Sequence, residues 1–437
     1  MDAAGVRDDR HRTPEGPIIT AQPEQQPESL WRLPAMRVLV GYTLAGFTGF
    51  CVTISALPAW LAGRGTPAAL AGLVTTVLLA ATVGVQLLVP HLVQRFGLGA
   101  VLTAGLVALG APSLLLLIDG GLGWVLAISA VRGAGFGSLT VLGSTMAARI
   151  VPVRRRGEAI GIYGLAIALP NLLAVAGGVA LVAADRFAWV AILGAAPLLG
   201  LAAVPSLARH AGSDQDSVDS ADPAAEAAPA GTARRSRRAA GVAAIAPSVV
   251  LLVITLAGGG FTTYLPIARP DGALATVGLL VWGVTAALAR WRAGMLADRV
   301  GTARLLPGSS VVTVAGMAVV VLGLLAGDGA SWVLTLVGSA VLGTGYGAAQ
   351  NLTLVAAFAR ARQRETATVS SVWNVGFDTG TALGAALVGG LTAAIDVPGA
   401  LAVTAVLVAA SLPLAVSSGR PVALPPPPGA APRPAEL

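Results

Sequence analysis

Apolar residues run along most of this chain in blocks of twenty or so, separated by short polar breaks, with no strand-like alternation of apolar and polar positions. The blocks fall near 38–62, 69–90, 98–118, 122–147, 158–183 and 187–207, then 241–267, 273–290, 304–326, 331–358, 367–393 and 398–417. A helix of about 20 residues crosses a hydrocarbon layer ~30 Å thick, so each block reads as one membrane crossing. The pattern predicts an all-α membrane protein of about twelve transmembrane helices. The division between the ninth and tenth rests on the Gly327-Asp328-Gly329 break.

Composition agrees. Of 437 residues, 55% are hydrophobic and 11% charged, against roughly a quarter charged in a soluble chain. Every basic residue is Arg, and the net charge of +7 resides in short loops, a pattern that topology explains and that argues against a nucleic-acid partner. The loops after blocks 2, 4, 6, 8 and 10 carry Arg95; Arg149 and Arg154–Arg156; Arg234, Arg235, Arg237 and Arg238; Arg299 and Arg304; and Arg360, Arg362 and Arg364. The opposite loops are poorer in arginine and hold Asp119, Asp185, Asp271, Asp328 and Asp396. Arginine-rich short loops stay in the cytoplasm, which puts both termini there and the chain in the inner (plasma) membrane as a multi-pass protein. The one cysteine, Cys51, lies in an apolar block, and His11, His91 and His210 are far apart in sequence. Neither a disulfide framework nor a metal site is expected.

Domain boundaries follow from the polar stretches. Residues 1–34 form a polar tail expected to be disordered, 35–208 and 240–417 two six-helix halves, and 418–437 a Pro-rich tail. Between the halves, 209–239 is Ala/Asp/Pro-rich and ends in the Arg234–Arg238 run, and it reads as a flexible cytoplasmic linker.

The halves echo each other. Pro90-His91-Leu92-Val93-Gln94-Arg95-Phe96-Gly97 returns as Gly294-Met295-Leu296-Ala297-Asp298-Arg299-Val300-Gly301, an offset of 204 (298 − 94). Leu57-Pro58 returns as Leu265-Pro266, and Gly123-Trp124-Val125-Leu126 as Ser331-Trp332-Val333-Leu334, both at 208. Gly133-Ala134-Gly135-Phe136-Gly137 returns as Gly343-Thr344-Gly345-Tyr346-Gly347 at 210. Ordered echoes at nearly constant offset indicate two pseudo-symmetric six-helix bundles facing each other across a central cavity. The Gly-x-Gly-x-Gly runs lack the strand and spacing of a nucleotide loop, and the pairs Gly133/Gly137 and Gly343/Gly347 read as close helix packing.

On these motifs the chain resembles the major facilitator superfamily over about residues 36–417, and within it bacterial sugar-efflux and multidrug-exporter-like permeases. The Gly-x-Leu-Ala-Asp-Arg-x-Gly segment, Gly294–Gly301, is similar to that superfamily's helix 2–3 signature, here intact only in the second half. Arg132 with Gly133, Gly135 and Gly137 is similar to its helix-4 arginine motif, which implies a part for Arg132 in proton transfer. Leu169-Pro170 stands where the exporter-associated helix-5 motif has Gly-Pro.

Charge inside the blocks is rare. Asp378 lies near mid-membrane in the eleventh block, where a carboxylate costs a few kcal/mol unless protonated, paired or hydrated. It reads as a proton-coupling or substrate group, as a packed Asp bonded to Thr379 or Ser371, or as a cap on a kink at Gly376 and Gly380. Arg132 reads as its partner across the halves, as an anion-binding group, or as a brace on backbone carbonyls. Tyr42, Thr48, Gln86, Asn171, Tyr264, Tyr346, Gln350, Asn351, Trp373 and Asn374 are the remaining candidates to line the cavity. The charged turns, Gly294, Asp298, Arg299 and Gly301 with Gln94, Arg95 and Gly97, read as a gate, Asp298 approaching the start of the fifth helix near Arg154–Arg156.

With no nucleotide motif in the sequence, these features predict a secondary transporter working by alternating access, not an enzyme. It needs no cofactor and draws on a proton gradient. Export of a small amphiphilic or sugar-like compound by a monomer embedded in lipid is the first reading; proton symport for uptake, and a non-transporting sensor or scaffold, are the alternatives.

Overall fold

The computed structural model describes residues 29–151, 155–212, 230–360 and 366–420. Among them the secondary structure is helical, without strands. Ten helices are long and apolar enough to cross a membrane singly: α1 Pro34–Gly63, α2 Ala68–Phe96, α3 Leu98–Leu117, α4 Gly121–Ala147, α5 Gly161–Ala183, α6 Phe187–Arg209, α7 Val242–Ala268, α8 Ala273–Ala297, α9 Thr302–Leu325 and α10 Gly329–Phe358. An eleventh apolar run, Thr368–Gly419, is too long for one crossing. Its backbone leaves helical geometry at Ile395 and at Asp396, where φ is +55°. That break divides it into α11 (368–394) and α12 (397–419), making twelve crossings.

Each half packs by the same plan. α4 lies on α2 and α3, and α1 on α5 and α6; α10 lies on α8 and α9, and α7 on α11. The halves meet through α2 against α11 and α5 against α8. The glycine runs explain the tightness of the α4 and α10 joints. A Cβ at Gly133 would strike the Leu78 carbonyl and one at Gly137 the Thr82 carbonyl, while Gly343 and Gly347 are seated on the carbonyls of Trp282 and Ala286. The middle glycines sit on the neighbouring helix, Gly135 against Gly105 and Leu109 and Gly345 against Ser309 and Thr313. Every contact recurs at an offset of 204 on the receiving helix (282 − 78, 286 − 82, 309 − 105, 313 − 109). The two bundles are therefore copies in backbone packing although few side chains match.

Several expected boundaries move. Leu30–Arg32 is a 3-10 turn with Leu30 buried, so order begins inside the expected 1–34 tail, of which 1–28 lie outside the described residues. The helix carrying α7 starts at Ala230, and α6 is continued in helix to Gly212. Of the expected linker 209–239, only 213–229 lie outside the described residues. The charged turns are not loops. Gln94 and Arg95 sit in the last turn of α2, and the helix of α8 continues past the expected end at 290 to Val300. Both helices stop at a glycine, Gly97 with φ +81° and Gly301 with φ +84°, a conformation costly for any other residue. Gln94 is exposed in the last turn of α2. The Asp298 side chain, Arg154 and the Arg156 side chain lie outside the described residues, and with them the expected gate contact.

Candidate functional site

Three interface helices, α2, α8 and α11, together with α4 and α10, bring polar side chains together at mid-depth. Gln86 is ten residues from the end of α2, about 15 Å along the helix axis. Its amide nitrogen donates to Thr140 Oγ1 of α4 (3.1 Å) and to Asp378 Oδ2 of α11 (2.6 Å). The second bond crosses from one half to the other. Gln86 and Asp378 are both buried, and no cation forms an ion pair with this carboxylate among the described residues; the ion pair found there is Arg64–Asp119, exposed at the far end. Asp378 thus depends on a neutral amide, not on a salt bridge and not on Thr379.

The other half repeats the joint with different chemistry. Position 290 is the counterpart of Gln86 at the 204 offset and is an arginine, and Gln350 is the counterpart of Thr140 at 210. Arg290 Nη1 donates to Gln350 Oε1 at 2.9 Å. One turn back on α10, Tyr346 lies within electrostatic reach of Arg290, Asp378 and Gln350. Its ring belongs to an aromatic row, 5.0 Å from Trp282 and 6.5 Å from Phe377, which lies 5.8 Å from Trp373. The counterpart of Tyr346 is Phe136, stacked on Phe50 at 3.6 Å in a wholly apolar setting. Polar chemistry is concentrated in the second half.

Four expected residues therefore meet here: Asp378, Gln86, Tyr346 and Gln350. Arg290 was not among the candidates, because the eighth block was closed at that residue as if it marked the membrane border. Its position opposite Gln86 in the repeat was the signal that would have found it.

Arg132 does not join the group. Its guanidinium is fully buried in the first bundle. Nη1 donates to Ser113 Oγ, and Nη2 donates at 2.8 Å to both Gly49 O and Thr53 Oγ1. It ties α4 to α1 and α3 and does not pair with Asp378. Tyr42 is likewise core, against Gly200. Asn171 and Asn374 donate to carbonyls of their own helices, Ile167 O at 3.0 Å and Ser370 O at 2.9 Å. Asn351 lies against Gly294, and the Trp373 indole donates to Thr353. Thr48 borders an apolar groove of about 540 Å³ between α1, α5 and α6, edged by the exposed Leu169 and Leu173, away from the polar group.

Tyr264 acts between the halves. Its hydroxyl, wedged against Gly72 and Gly389, is within hydrogen-bonding distance of Ala385 O (3.1 Å) and Ala68 O (3.3 Å), and Thr76 Oγ1 nearby donates to Ala382 O at 3.3 Å. On the other interface Gly272 abuts Ala183, and Gly283 abuts Leu172. These contacts join the halves from the face opposite the termini down to the level of Gln86 and Asp378. Among the described residues no group of His, Cys, Asp and Glu is arranged to hold a metal ion.

The sequence matches the family model of the Major Facilitator Superfamily over residues 38–385. No curated protein matches it significantly. Among solved structures, a bacterial homologue of the human lysosomal transporter Spinster, inward-facing and unoccupied, is similar in fold at TM-score 0.65 and 14% identity, over 88% of this chain and 95% of that one. A POT family transporter in complex with 5-aminolevulinic acid is similar at TM-score 0.65 and 14% identity, over 88% of this chain and 96% of that one.

Proposed function

The chain belongs to the Major Facilitator Superfamily, and we propose that within it this protein is a proton-coupled exporter of a small amphiphilic compound, a drug, natural product or sugar-like molecule, working by alternating access. The observation that carries this reading is the Gln86–Asp378 hydrogen bond, in which the one buried carboxylate among the described residues is bonded across the moving interface. A group there changes partners whenever the halves rock, so its proton occupancy and the open side of the transporter are linked. The contacts around Tyr264 close the face away from the termini, and the arginine-rich loops support a reading with both termini in the cytoplasm and the protein in the plasma membrane. In this reading the protein acts as a monomer in lipid, takes no cofactor, and draws its energy from the proton gradient.

The test is proton movement in proteoliposomes with a pH dye inside. Cargo addition is expected to move protons opposite to the cargo in the wild type and to move none in Asp378→Asn. Equal proton movement in both proteins refutes the coupling role; movement parallel to the cargo makes the protein a symporter.

A further inference from the structure

Arg290 lies in α8 about 15 Å from the helix end at Val300, ten residues on, a depth at which an arginine is costly. It spends one bond, on Gln350, and has no carboxylate partner among the described residues. Arg132 is the contrast, with three bonds holding three helices together. The charge at 290 is also surplus to the architecture: the same joint in the first half is built by a neutral amide, Gln86 on Thr140. Beside Arg290 stands Tyr346, whose ring lies 5.0 Å from that of Trp282, and the Trp282 indole N–H is a buried donor without an acceptor.

We propose that Arg290 anchors an anionic group of the cargo, so that the transported compound is a small organic anion with an apolar or aromatic body. A guanidinium presents a planar fork of donors that matches a carboxylate, sulfonate or phosphate, and most of this fork is unspent. The body lies along the row Trp282, Tyr346, Phe377 and Trp373, where the free indole N–H serves a polar substituent. This inference rests on the transporter reading above and narrows its substrate class.

The full-length protein in detergent micelles supplies its own reporter, the Trp282 fluorescence, with Trp282→Phe as the signal control. The probes are phenylacetate, benzenesulfonate and phenyl phosphate, each against a neutral counterpart, phenylacetamide, benzenesulfonamide or phenol. At least one anion is expected to bind ten-fold or more tightly than its neutral counterpart, and Arg290→Gln to erase that preference. Glutamine is what the first half carries at this position, so the variant is expected to fold, and a melting curve checks it. If no anion is preferred, or the preference survives in Arg290→Gln, the proposal is overturned. Proton movement in proteoliposomes, measured beside binding, separates the two readings. Anion preference with no proton coupling in the wild type sinks the coupling reading alone, and proton coupling with no anion preference sinks the anion site alone.

Discussion

Replacing Arg132 with Met separates a brace from a proton relay. Methionine keeps most of the apolar stem and deletes the guanidinium, with its bonds to Ser113, Gly49 and Thr53. Hydrogen bonds to a charged group contribute roughly 1.5–3 kcal/mol each. Against that loss stands the desolvation of a guanidinium, which Met does not require. The abandoned acceptors are neutral, and the two hydroxyls keep other bonds, Ser113 Oγ to Gly194 O and Thr53 Oγ1 to Phe50 O. The net cost therefore falls somewhat below the 3–5 kcal/mol of a broken buried ion pair, at about 2–4 kcal/mol. For a chain of this size, roughly 2 °C per kcal/mol, that is a drop in Tm of about 4–8 °C. Arg132→Lys keeps the charge, but a compact ammonium does not span acceptors on both α1 and α3, so an intermediate drop is expected. The assay is a melting curve in detergent, paired with transport per folded molecule in proteoliposomes. If Arg132→Met melts within about 1 °C of wild type and still loses proton coupling, the brace is wrong and the relay implied by the family motif is right.

The glycine seats make a second prediction: Gly133→Ala and Gly347→Ala each force a Cβ onto a carbonyl of the facing helix and cost about 1–3 kcal/mol in overpacking. Gly164→Ala, with nothing within 4 Å of the added carbon, is expected to stabilise by up to about 1 kcal/mol. Equal melting temperatures for the three variants refute the close approach. Removing the Tyr264 hydroxyl (Tyr264→Phe) takes away its cross-half bond to Ala68 O, about 0.5–1.5 kcal/mol, and favours opening of the sealed face by roughly two- to twelve-fold. The measure is maleimide labelling of Ala69→Cys in a Cys51→Ser background; an unchanged labelling rate means the hydroxyl does not hold the seal.

Twelve apolar blocks were legible because lipid demands a contiguous apolar run for each crossing, and hydropathy reads such runs directly. The glycine runs were legible as packing sites because a helix approaching another's backbone tolerates no side chain at the contact. Helix ends were less so. Charge at Arg290 and at Gln94-Arg95 suggested loops, whereas the helices run on through the charged residues until Gly97 and Gly301 stop them. The turns at Asp185 and Asp396, both left-handed at φ +56° and +55° and 211 residues apart, are a further echo that the residue types alone did not reveal.

By itself, then, the sequence determined the membrane class, the number of crossings, the duplication and the list of polar residues from which a site must be built. Only the tertiary structure decided which of those residues meet. Asp378 and Gln86 are 292 residues apart and belong to different halves, and no local pattern encodes a pairing across the interface. Arg132 and Arg290 each sit beside apolar residues in the sequence, Arg290 two residues before Arg292, and neither context reveals its partners. What separates them is how many of their donors the surrounding helices satisfy, and that depends on where α1, α3 and α10 stand in space.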